Sequence, residues 1–183
     1  MDRPVRRAVF CAALIATVPA LAQGQVKDAR LERLRTDILG AASATQVLTA
    51  RCAELHLAGP VHAETVPAPD AVTAEIRALL KVGAAEPVRH RHVRLGCGGH
   101  VLSEADNWYV PSRLTAEMNR ALDTGDTPFG TVVRPLNFHR KTVETSRPAG
   151  GGTVLRVKAV LLTPQDLPIS LVVENYRRAL LGG

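Results

Sequence analysis

The side chains fit for chemistry in this chain are few. Arg89-His90-Arg91-His92 places two guanidinium groups and two imidazoles on alternating positions. A single carboxylate, Glu174, interrupts the largely apolar run Ile169 to Val173 and its continuation to Tyr176. An arginine offers a planar fork that meets a carboxylate through two parallel hydrogen bonds. A carboxyl group in an otherwise apolar strand is a candidate for moving a proton or for orienting a ligand. Each has a plainer rival role. Arg91 could be half of a cross-strand pair with Asp106, and Glu174 could be a solvated edge charge. His90-x-His92 is half of a metal site without a third ligand, so no metal is expected. Arg140, between His139 and Lys141, reads as part of a wet strand face, and Trp108 as a packing anchor.

The elements that must position these groups follow from periodicity. Val88 to Cys97 alternates with a period of two, which predicts a strand carrying Arg89, Arg91, Val93, Leu95 and Cys97 on one face. Gly98-Gly99 supplies the positive φ of a two-residue hairpin turn, and His100 to Tyr109 returns beside the first strand. In that register Cys97 faces His100, Leu95 faces Leu102, Val93 faces Glu104 and Arg91 faces Asp106. Arg91 then shares its face with two acidic residues, and the histidines share theirs with Ser103, Ala105 and Asn107. Thr115 caps a short helix that stops at Gly125, and Thr127-Pro128-Phe129-Gly130 forms a rigid corner.

Upstream, Gln25 to Leu39 is an amphipathic helix that Gly40 breaks. Ser43-Ala44-Thr45-Gln46 matches a capping box opening a second helix lined by Val47, Leu48, Cys52 and Leu55. Val61 to Val66 is a short strand, and Asp70 caps a helix carrying Val72, Ile76, Leu79 and Leu80. Downstream, Thr131 to Thr145 is strand-like but interrupted by Pro135. Ala149 to Gly152 is a hairpin loop between that segment and the strands Leu155 to Leu162 and Pro168 to Leu181. Helices come early and strands late. The fold class is therefore α+β, a single antiparallel sheet of about five to six strands with helices packed on one face.

Of the 183 residues, 46% are apolar, enough for one core. Residues 1–22 read as a secretory signal peptide: a basic start, an apolar run from Ala8 to Val18, and Ala20-Leu21-Ala22 as the cleavage site. The run is too short for a membrane span. Residues 23–183 then form a single exported domain, periplasmic or secreted, and a monomer is expected. The leader takes three arginines and one aspartate from a chain of 23 basic and 17 acidic residues, leaving a net charge of +4. That modest excess, with few aromatics and no recognised motif, argues against nucleic acid and suits a small anionic ligand. Cys52 and Cys97 remain. They either form a disulfide or sit as two separate buried hydrophobes.

Four segments of the mature chain resemble the chorismate pyruvate-lyase family. Ser43-Ala44-Thr45 with Leu48 looks like its Ser-x-Thr helix start. Arg91 to Val110-Pro111 looks like its central hairpin, Thr127-Pro128-Phe129-Gly130 is similar to its Thr-Pro-Leu-Gly corner, and Pro168 to Tyr176 resembles its last strand. The resemblance implies cofactor-independent cleavage of chorismate to 4-hydroxybenzoate and pyruvate, or binding of a related aromatic or cyclic carboxylate. It implies Arg91 on the substrate carboxylate, Glu174 on the ring oxygen with a catalytic role, and backbone groups of Ala44 and Phe129 lining the pocket. Two departures bear on those roles. Glu104-Ala105-Asp106-Asn107 replaces Leu-Ala-Gly-Arg and brings acidic residues near the anion site. The spacing from Pro168 to Glu174 is one residue longer, which leaves open the face that Glu174 takes. A binding or accessory module without chemistry, or a structural envelope protein, are the alternatives.

Overall fold

A computed structural model describes residues 20–69 and 71–182. Six strands form one antiparallel sheet: β1 (His62–Thr65), β2 (Arg89–Cys97), β3 (His100–Tyr109), β4 (His139–Ser146), β5 (Thr153–Leu162) and β6 (Pro168–Arg177), in the order β1-β2-β3-β6-β5-β4. The longest strands, β3, β5 and β6, lie in the middle, and β6 is buried at eight of its ten positions. That burial explains its near-continuous apolar run.

The main helical layer covers one face. In α1 (Ala20–Gly40), Leu34 and Ile38 are buried, and in α2 (Ala44–Glu54), Val47, Leu48 and Cys52 join them. Both pack over Val93, Leu95, Ala105, Val157 and Val172. A smaller cluster on the reverse face seats Ile76 and Leu80 of α3 (Ala74–Leu80) against Val160, Leu162 and Leu171. The helix α4 (Ala116–Thr124) begins at Thr115, whose side chain accepts from the Met118 N–H at 3.2 Å, and ends at Gly125. A single helical turn, α5 (Phe129–Val132), follows Pro128.

The hairpin between β2 and β3 departs from its expected register. Gly98 and Gly99 do take positive φ (+56° and +76°), and Cys97 does oppose His100. Beyond Gly96↔Val101, however, the next pair is Leu95↔Ser103, so Leu102 is an extra residue. This bulge shifts every later pair by one. Arg91 opposes Asn107 and His92 opposes Asp106. The cause is visible at Gly96, where a Cβ would lie 2.3 Å from the His100 carbonyl oxygen. Only glycine admits that approach. Gly96→Ala is expected to cost about 1–3 kcal/mol, as overpacking of a tight site does. At about 2–4 °C per kcal/mol for a domain of this size, a melting curve shifted by less than about 2 °C would refute it.

Four other expectations change. Ser43 is the N-cap of α2 but makes no side-chain cap bond, so the capping box is absent. Thr131 to Leu136 is not strand: α5 and a 3-10 turn (Arg134–Leu136) occupy it, since Pro135 suits the first turn of a helix. Thr73 caps α3, accepting from the Ile76 N–H at 3.2 Å, and Asp70 lies outside the described residues. The first helix begins at Ala20, five residues earlier than its periodicity, while residues 1–19 of the expected leader lie outside the described residues. No described helix is long and apolar enough to cross a membrane.

The two cysteines are bonded. Cys52 of α2 and Cys97 of β2 form a disulfide with Cα atoms 6.4 Å apart, tying the helical layer to the sheet.

Candidate functional site

The shifted register decides what the helix-covered face presents. Across the sheet, Arg91 lies in one row with Asn107, Val172 and Ala159. The neighbouring row carries Val93, Ala105, Glu174 and Val157. Arg91 and Glu174 therefore look toward the same side, under the start of α2 and the α5 turn. The extra residue before Glu174 is taken up at Ile169, which lies unpaired between Leu162↔Pro168 and Leu161↔Ser170. Arg91, Ala44, Phe129 and Glu174, the four positions singled out from sequence, all line one hollow with a cavity volume of about 40 Å³. Its remaining wall is largely apolar, with Val93, Leu95, Ala105, Phe138, Leu161 and Val172.

Arg91 is a buried cation, 6% exposed. Its Nη2 donates to the Gly125 carbonyl at 2.8 Å and its Nη1 to the Thr127 carbonyl at 3.2 Å. Its Nε is buried without a partner. The expected rival partner, Asp106, is on the reverse face. Among the described residues no carboxylate comes within ion-pair distance of Arg91. Burial accordingly pulls its pKa below the ordinary arginine value, against the weaker pull of Tyr109 and Asp126. A charge removed from water with only carbonyl dipoles to meet it is costly unless something else completes it.

Glu174 is also buried, but it is fully engaged. Arg140 donates from Nη1 to Oε1 at 3.1 Å and from Nη2 to Oε2, and the Tyr176 hydroxyl donates to Oε2 at 2.8 Å. Burial alone would lower the Arg140 pKa, yet the adjacent Glu174 carboxylate outweighs it and raises it. Burial, then Glu174, pushes the Tyr176 phenol well above its ordinary value, so it stays a neutral donor. Arg140 is thus not on a wet face. Its side chain is 4% exposed, and it reaches inward from the edge strand β4, where it pairs with Leu161. The signal for it was indirect: a lone carboxylate in an apolar strand needs a cation, and among the basic residues of β4 the inward phase selects Arg140.

At the helix start, a Cβ on Gly130 would lie 2.5 Å from Ser43 Oγ and 3.2 Å from Thr45 Oγ1. This close approach of α5 to α2 lies between the hollow and an outer groove of about 440 Å³. Ser43, Thr45, Gly130 and Phe138 line both spaces.

On the reverse face, His90 Nε2 and His92 Nδ1 both meet Asp106 Oδ1, at 2.9 and 2.8 Å. The His90 ring stacks on Trp108 at 4.8 Å, and the indole Nε1–H donates to the Ala71 carbonyl. Trp108 anchors the loop before α3, and the histidines are occupied with a structural carboxylate. Among the described residues no group of three metal-ligating side chains gathers anywhere.

No protein-family model matches the chain. The uncharacterized protein y4mC of Sinorhizobium fredii (strain NBRC 101917 / NGR234) is 41% identical over 178 residues, spanning 82% of this chain and 75% of that protein. Among solved structures, the effector domain of PhnF from Mycobacterium smegmatis matches with a TM-score of 0.57 and 15% identity, over 75% of this chain and 90% of that domain. PhnF itself matches with the same score and identity, over 77% of this chain and 66% of its own length. At 15% identity these two likenesses are of fold, an α+β sheet with a helical layer.

Proposed function

We propose that this chain, which belongs to the family of the Sinorhizobium fredii protein y4mC, binds a small organic acid in the hollow between α2 and the sheet, with Arg91 as its anchor. The observation that carries this reading is the buried Arg91 guanidinium, with an orphaned Nε and no described carboxylate beside it. Arg91, Arg140 and Glu174 leave the hollow with one unmatched positive charge. A monocarboxylate closes that balance through a bidentate pair. The apolar remainder of the wall offers no partner to a second charged group, so an acid with one carboxylate and an uncharged cyclic or aromatic body is the class expected. The effector domain of PhnF shares this fold.

Cleavage of chorismate is the second reading, favoured by Arg91 and Glu174 lining one hollow. Against it, Glu174 accepts three hydrogen bonds, from Arg140 and Tyr176, and is committed to them rather than to a leaving group. Its role would be to accept from a ligand hydroxyl. We further propose that the protein works outside the cytoplasm, since a buried Cys52–Cys97 bond persists where thiols are oxidised.

The test compares 4-hydroxybenzoate with 4-hydroxybenzamide by calorimetry and thermal shift. The acid is expected to bind and raise Tm, and the amide is not. Arg91→Met is expected to weaken the acid about 10- to 100-fold, the worth of hydrogen bonds to a charged group. The melting curve of the unliganded variant reports whether it folds. Equal binding of acid and amide, or a folded Arg91→Met protein that binds as the wild type does, overturns the reading. Incubation with chorismate is expected to release no 4-hydroxybenzoate above the Arg91→Met background.

A further inference from the structure

We infer that the ligand is a hydroxyl-rich acid: only its carboxylate enters the hollow, and its body lies in the outer groove between α2 and α5. This rests on the acid-binding reading above and adds the chemical class of the ligand. The argument begins with size. A cavity of about 40 Å³ has room for about three water molecules, whereas sites that enclose a whole ligand run to about 300–1,000 Å³. A carboxylate fits there, but a ring with its substituents does not. The groove next door, at about 440 Å³, is the right size for such a body. The two spaces adjoin across Ser43, Thr45, Gly130 and Phe138, which line both, so a ligand that occupies both passes between these residues.

The lining of the groove then selects the chemistry. It is lined by Thr49, whose hydroxyl donates to the Thr45 carbonyl at 2.8 Å and can still accept, by Thr131, by the amides Gln46 and Asn137, and by one cation, Arg134. Arg134 is exposed and makes no ion pair with a described carboxylate. At the junction, Ser43 is an N-cap whose hydroxyl does not serve its own helix, and Thr45 keeps its hydroxyl on the same lining. Phe138 supplies one aromatic face. Paired donors and acceptors around a single apolar face complement a saturated ring bearing several hydroxyls. A plain aromatic ring would leave most of these groups facing an apolar surface, each forgoing a hydrogen bond. Gly130 has its own part, because a side chain at that position would stand against Ser43 at the junction.

Cyclohexanecarboxylate and quinate test this, being the same ring and the same acid with and without ring hydroxyls. Calorimetry on the wild type is expected to show quinate binding at least about ten-fold tighter, the worth of one or two net hydrogen bonds. The double variant Gln46→Leu/Thr131→Val is expected to bring quinate down to the affinity of cyclohexanecarboxylate, with a melting curve confirming that it folds. If the variant does not fold, Thr131→Val alone is read in its place, and a smaller loss in the same direction is expected. Equal affinities in the wild type, or a quinate preference that survives in the folded variant, overturns this inference and leaves acid binding standing. Failure of both acids to bind overturns the acid reading and this inference with it.

Discussion

Replacing Arg140 with methionine is expected to destabilise the protein by about 3–5 kcal/mol, the usual cost of leaving one member of a buried ion pair alone. The pair is enclosed, at 4% and 8% side-chain exposure, and among the described residues Tyr176 is the one hydrogen-bond donor left to Glu174 once the guanidinium is gone. The double variant Arg140→Met/Glu174→Gln is expected to recover most of the loss. It removes both charges while the glutamine oxygen still accepts from the Tyr176 hydroxyl, which would otherwise be an unsatisfied buried donor. Denaturant titrations of the wild type and the two variants at pH 7 would show this. A single variant within 1 kcal/mol of the wild type (about the error of such extrapolations), or a double variant no better than the single, would contradict it.

Loss of the Cys52–Cys97 bond is expected to cost about 4 kcal/mol, the loop-closure entropy for a 45-residue separation. Both cysteines are buried, at 4% and 0% exposure, so native protein is expected to resist a phosphine reductant until it unfolds. Protein reduced in denaturant and refolded, and the Cys52→Ala/Cys97→Ala variant, should both unfold at lower denaturant than the oxidised wild type. Their m-values should rise, because an uncrosslinked unfolded chain exposes more surface. An unchanged midpoint with an unchanged m-value would mean that the bond adds nothing. Ligand affinity is a second readout, since α2 brings Ser43 and Ala44 to the hollow and β2 brings Arg91.

The parts of the fold legible in the sequence are those in which local chemistry and tertiary packing agree. Alternation in β2, the Gly98-Gly99 turn, Thr115 and Gly125 at the ends of α4, and the largely apolar β6 all follow from residue type and period. Arg91, Glu174, Ala44 and Phe129 were brought forward together by a family resemblance, and they do line one hollow. The register was not legible. A bulge leaves the alternation of β2 untouched and shows only as two successive buried residues, Leu102 and Ser103, on β3. That single slip moved Asp106 from beside Arg91 to the histidines. Arg140 was hidden for another reason. It sits in a charged edge strand, and only a long side chain reaching across to β6 reveals its partner. Ser43 shows the converse case, a residue of capping type at the capping position whose hydroxyl makes no cap bond.

Leu102 on β3 and Ile169 on β6 each put a strand out of step by one residue, and the side toward which Arg91 and Glu174 look depends on both offsets. A codon lost at either place need not undo the sheet. It can send one charge to the wrong side of an otherwise sound protein. Within this lineage, the phase of two strands is therefore as heritable a determinant of what the chain can hold as the identity of any residue it presents.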